Sequence, residues 1–181
     1  MRLRLTRRRF LFLGVTAGVA TALGVAAVWP DSAVLDDAPS AYQFLTARDR
    51  AILAALAPAM LAEAWPTTPE AATVETQTLL RGLDVALRGL PPRPREEMRQ
   101  LLDLLGRQGG RVVLAGSLAG WATVDPARAA VILAGWRDHA LALLQQAYGG
   151  LHDLLFGVWY GDPRHWADCG YPGPPTLWLP S

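Results

Sequence analysis

Between Thr46 and Tyr160 the apolar residues recur three and four positions apart, and no stretch alternates convincingly with period two. That spacing lines apolar side chains along one stripe of a helix, whereas a half-buried strand needs strict alternation. The chain therefore reads as all-α, a small helical bundle. Thr46-Ala47-Arg48-Asp49 resembles a capping box, and Ile52, Leu53, Leu56, Met60 and Leu61 follow at helical spacing. Pro58 lies inside that run and is expected to kink the helix or end it early. A second helix is expected over Glu70 to Leu90, and a third over Arg95 to Leu105 with Glu96 and Glu97 in its first turn. Glycines leave room for a short helix at best between Gly106 and Gly120. Asp125-Pro126 marks a strong start, an N-cap with proline at the first helical position. The helix is expected to run through Trp136, Leu141 and Tyr148 until Gly149-Gly150 interrupts it, leaving Leu151 to Tyr160 as a last helix.

Charge divides the chain differently. All 17 basic residues are arginine, and five of them, Arg2, Arg4, Arg7, Arg8 and Arg9, precede the first acid. Phe10 to Trp29 then carries no charge, and Val25-Ala26-Ala27 places small residues near its end. This is the order of an export signal. Within it, Thr6-Arg7-Arg8-Arg9-Phe10-Leu11 resembles the twin-arginine (Tat) signal, which makes Thr6, Arg7, Arg8, Phe10 and Leu11 its candidate recognition residues. Twenty uncharged residues at about 1.5 Å each also suffice to span a bilayer, so residues 1–29 are either a cleaved signal or a retained anchor. Pro30 to Gln43, with Asp31, Asp36 and Asp37, reads as a tether, and residues 44–181 as the helical domain. A length of 181 residues fits one domain plus such a leader. Beyond Trp29 there are 12 arginines against 16 acids, a net −4, which is a poor basis for binding nucleic acid. One cysteine, Cys169, excludes an intrachain disulfide, a cysteine-rich zinc site and C-x-x-C-H haem attachment. The P-loop and the G-x-G-x-x-G fingerprint are both missing.

After Phe156 the composition changes to Trp159-Tyr160-Gly161-Asp162-Pro163-Arg164-His165-Trp166, then Gly170-Tyr171-Pro172-Gly173-Pro174-Pro175 and Trp178. Prolines and glycines at this density prevent a regular helix, and the aromatic content argues for an ordered loop. Two roles are compatible: Trp159, Trp166 and Tyr171 plug the open end of the bundle, or a stiff backbone presents the rings to a partner. The candidate partner-binding residues are Trp159, Tyr160, Gly161, Pro163, Trp166, Gly170, Tyr171, Pro172, Gly173 and Pro174.

This segment resembles the C-terminal signature of the gluconate 2-dehydrogenase subunit 3 family, the small subunits of membrane-bound flavin dehydrogenases. Phe44-Leu45-Thr46-Ala47-Arg48-Asp49-Arg50 and Ala147-Tyr148-Gly149-Gly150-Leu151-His152-Asp153 agree with it in outline. The resemblance implies a subunit with neither an active site nor a cofactor of its own. It implies an FAD-containing GMC-type large subunit without a signal, exported through the Tat translocase as a passenger on this chain's leader. A multi-haem cytochrome c subunit commonly completes such complexes, and the implied location is the periplasm, in association with the membrane.

Other chemistries find little support in the residues. His139, His152 and His165 match no common metal-ligand spacing, and capping, packing or hydrogen bonding is the expected use of each. Ser117 fails the G-x-S-x-G pattern. Cys169 is expected to be a small buried hydrophobe, with an odd thiol pairing with another chain as the alternative. The competing functions are a membrane-anchored periplasmic scaffold and an autonomous periplasmic enzyme whose site has no recognised motif.

Overall fold

Thr46 starts the first helix as its composition suggests. In the computed structural model, which describes residues 41–116 and 120–174, the Thr46 hydroxyl accepts the Asp49 amide at 3.3 Å. The Asp49 carboxylate in turn accepts the Thr46 amide at 2.8 Å, completing the capping box. Helix α1 spans Ala47–Leu61. Ile52, Leu53 and Leu56 are wholly buried, and Ala51 and Ala57 nearly so. The helix is apolar around most of its girth because it is central: four of the other helices pack on it. Pro58 does not stop it at once. The helix continues one turn to Leu61, and the Ala62 amide closes it on the Pro58 carbonyl.

Helix α2 (Pro69–Gly89) begins behind the Thr68 cap and buries Leu79, Leu80, Leu83 and Leu87, all in its second half. Helix α3 spans Pro92–Gly106, three residues longer at its start than its apolar spacing implies. Proline at the first helical position lacks an amide that would have no partner there, so the helix begins directly after Pro91. Glu96 and Glu97 consequently lie beyond the first turn, which holds no acid. The short helix α4 is Gln108–Ala115. Trp121, wholly buried, donates its indole N–H to the Leu105 carbonyl at 2.9 Å, tying its own short turn to the end of α3.

Helix α5 (Pro126–Arg137) has the expected Asp125 cap, whose carboxylate accepts the Arg128 amide at 2.7 Å. The next boundary is not where the glycines stand. The chain leaves the helix at Asp138, and α6 runs Ala142–Trp159 straight through Gly149 and Gly150. Two local bonds make the break: the His139 ring accepts the Leu141 amide at 3.0 Å, and Gln145 donates to the His139 carbonyl at 2.9 Å. The break lets α5 and α6 pack against each other, which a continuous helix could not do. Two interior glycines cost about 1 kcal/mol each relative to alanine. Burial of Leu144, Leu151, Leu155 and Trp159 on α6 outweighs that, at about 1.5–3 kcal/mol per large side chain. Among the described residues there are six α-helices and no strand, so the all-α bundle holds. No helix among them is long and apolar enough to cross a membrane.

Candidate functional site

The residues after α6 form two short 3₁₀ turns, Pro163–His165 and Ala167–Cys169. Asp162 sets up the first by accepting the Arg164 amide at 3.0 Å. Arg164 holds the Asp162 carboxyl below the usual carboxylate range, through its side chain and then its amide. Gly161 is needed because a Cβ there would lie 2.7 Å from the Gly157 carbonyl oxygen. Gly170, at φ 70°, ends the second turn, and the Tyr171 amide then returns to the Trp166 carbonyl at 2.9 Å. Gly173 (φ 95°) lies against the Trp166 ring.

The aromatic residues divide into two sets. Trp159 faces inward, 2% exposed, with its ring stacked on His165 at 3.7 Å and tilted against Trp65 at 5.5 Å. It belongs to the core rather than to a surface. Trp166 is half-buried and donates its indole N–H to the Tyr160 carbonyl at 2.8 Å. Tyr171 meets Trp166 edge-on at 5.2 Å and remains 46% exposed. Tyr160 is half-buried at the end of α6, while Pro163, Pro172 and Pro174 are exposed. The candidate segment is therefore one surface feature fastened at Trp159 and outward at Tyr171.

Beneath it, α2 and the first turn enclose a cleft of about 260 Å³. Glu75, Thr78, Leu79, Trp159 and His165 are in its walls, and Arg164 lies at its edge. Arg164 bridges Glu75 at 2.9 Å and Asp162 at 2.7 Å, tying the turn to α2. His165 is 8% exposed, with its ring nitrogens 3.6 Å from Glu75 and 3.8 Å from Asp168. A close helix crossing shapes one wall, since a Cβ on Gly82 would reach within 2.6 Å of Val158.

The other histidines lie apart from this cleft. His139 shapes the α5–α6 break, and His152 stacks on Phe156 at 4.2 Å. No group of three His, Cys, Asp or Glu side chains that could hold a metal ion occurs among the described residues. Cys169 corrects its expected burial: it is exposed, with its thiol directed at the Trp166 carbonyl at 3.3 Å. A residue in a 3₁₀ turn at the surface has no core to enter, whatever its hydrophobicity.

A second polar cluster, where the tether meets the body, was not apparent from motifs. Asp84, 2% exposed, accepts the amides of Phe44 and Leu45 at 2.8 Å each and that of Gln43 at 3.2 Å. Arg88 adds an ion pair at 3.3 Å. Burial pushes the Asp84 carboxyl up, but the three amides and Arg88 overcome it and leave the group below its ordinary range. Nearby, Arg99 grips Asp49 with two nitrogens at 2.6 and 2.8 Å and also pairs with Asp103. The packed body thus reaches back to Tyr42, itself buried. The available signal was a carboxylate at a core-facing position of α2, between Leu80, Leu83 and Leu87. Thr6, Arg7, Arg8, Phe10 and Leu11 lie outside the described residues.

Compared with family models, curated proteins and solved structures, the chain gives no match in any of the three.

Proposed function

We propose that this chain is the non-catalytic small subunit of a periplasmic FAD-dependent dehydrogenase complex. Its twin-arginine leader carries a leaderless GMC-type flavoprotein through the Tat translocase, and its body stabilises that partner, in association with the membrane and a multi-haem cytochrome c subunit. The observation that carries the reading is the aromatic C-terminal segment, with its Trp166–Tyr171 pair on the outside of the bundle. It supports a partner-facing role at the end of the chain opposite the leader. FAD belongs to the large subunit on this reading, and haem to the cytochrome.

Passenger export sets a requirement on residence time. A partner must remain bound from folding until translocation ends, on the order of a quarter hour. With an association rate of about 10⁶ M⁻¹s⁻¹, that residence needs a Kd of about 1 nM. Interfaces of that strength rest on a few aromatic or arginine anchors.

The test exchanges Arg7 and Arg8 together for lysine. Every charge is kept, but the planar, forked donors are lost. Both this protein and its flavoprotein are then expected in the cytoplasm, assayed by fractionation and dehydrogenase activity. Undiminished periplasmic activity rejects Tat dependence.

A further inference from the structure

Eight large apolar side chains among the described residues are exposed, and five of them belong to α4, α5 and the α5–α6 break. Val112 and Val113 are on α4, Val131 is on α5, and Leu141 and Leu143 stand where α6 begins. Val113 and Val131, 61% and 60% exposed, line a groove of about 200 Å³ whose other walls include Gly135, Trp136, His139 and Leu144. Leu141 and Leu143 lie between the last two of those residues in the chain. The polar atoms of the groove are already used inside the body. Trp136 donates its indole N–H to the Leu114 carbonyl, Arg128 donates to the carbonyls of Ala115 and Gly116, and the His139 ring accepts the Leu141 amide. Nothing there asks for a directional partner. What remains is aliphatic surface in water, which any apolar phase would cover favourably.

Charge sets the same region apart. Gly106 to Tyr148 carries Arg107, Arg111, Arg128 and Arg137 against Asp125 and Asp138, 4 − 2 = +2. The rest of the chain beyond Trp29 has 8 arginines against 14 acids, a net −6. We propose that this corner is a membrane-docking face, its aliphatic side chains entering the headgroup region of a bilayer that contains anionic lipid. This inference rests on the membrane association proposed above and names the face that makes it. A negative lipid surface attracts the positive corner and repels the acidic remainder, so the field orients the body. The chain outside the structure supplies proximity. The uncharged stretch ends at Trp29, 12 residues before the buried Tyr42. A segment of that length reaches at most about 40 Å, so a leader held in the bilayer keeps the body close enough for a weak face to dock. A protein is the poorer fit, because protein interfaces are anchored by tryptophan, tyrosine and arginine, and the five exposed apolar side chains here are all valine or leucine.

The test follows the full chain on vesicles, with an environment-sensitive fluorophore on a single introduced thiol in a Cys169→Ser background. Val131→Cys and Leu143→Cys mark the corner, and Val74→Cys and Val85→Cys, exposed on α2, are the controls. On vesicles of phosphatidylglycerol and phosphatidylethanolamine the corner labels are expected to brighten and shift to the blue, while the α2 labels stay as in water. Phosphatidylcholine vesicles are expected to give a smaller change. Arg107→Gln, which removes an exposed guanidinium at the start of α4, is expected to weaken docking about fivefold at low salt. Corner labels as wet as the controls, on vesicles that carry the chain, overturn the docking face and leave membrane association to the leader. A chain that does not float with the vesicles overturns both. Brightening that requires the flavoprotein, or that rises with protein concentration without lipid, makes the corner a protein interface and also overturns the proposal.

Discussion

Asp84 shows how one side chain decides where the body of this protein begins. Its carboxylate collects three successive amides, a job a neutral side chain performs poorly. Asp84→Asn retains one acceptor oxygen but turns an NH₂ group toward donors, and is expected to destabilise the fold by about 2 kcal/mol. The pH dependence follows from the sign of the shift. A carboxyl held below its unfolded value stabilises the fold fully above that value, about pH 4, and the contribution fades as pH falls through the lower folded value. Urea midpoints of wild type and variant should therefore converge as pH falls below about 4. A gap that stays constant over that range would count against the carboxylate. Ala62 presents the opposite case, a residue type poorly suited to its backbone. It sits at φ 48° and ψ −114°, where only glycine is comfortable. Ala62→Gly is expected to stabilise by about 1 kcal/mol despite the added unfolded-state freedom, measured as a shift in urea midpoint at constant slope.

At the scale of elements, caps are legible and phases are not. Thr46 and Asp125 start helices as the sequence reading expects, because an N-cap hydrogen bond is local and needs nothing beyond three residues, and Thr68, which that reading passes over, caps α2 in the same way. The α5–α6 break is different. Asp138 and His139 carry no strong stop signal, whereas Gly149-Gly150 carries a false one. The helix that contains those glycines is kept by its buried face, a tertiary contribution larger than the propensity it opposes. Gly149 has open space where a side chain would go. Gly149→Ala is therefore expected to raise stability by about 1 kcal/mol, read from thermal or urea unfolding. A loss of stability instead would place a neighbour against that position. The C-terminal turns were expected as irregular backbone rich in glycine and proline. Which ring points inward could not be foreseen, since Trp159, Trp166 and Tyr171 are all large aromatic side chains with one polar atom each.

For the whole molecule, the central question is what the bundle offers to others. Tyr171 touches its neighbours only at the surface, so Tyr171→Ala should leave circular dichroism unchanged and weaken binding of the proposed flavoprotein partner by about 1–2 kcal/mol, or about 5- to 30-fold. Full co-purification of a well-folded variant would move the anchor to the exposed helix faces between Arg95 and Tyr148. The sequence by itself determined the helical class, the capped helix starts at Thr46 and Asp125, the division between a basic, then uncharged, N-terminal stretch and an acidic remainder, and the site of the aromatic segment. Each of these is written in residue type and short-range spacing. Only the tertiary structure decided that α1 is the central helix and that α6 crosses two glycines. The same holds for Asp84 gripping the chain some forty residues before it and for Glu75 facing Arg164. Those outcomes depend on which faces meet across the bundle, and contacts between distant residues follow from packing, which local pattern does not encode.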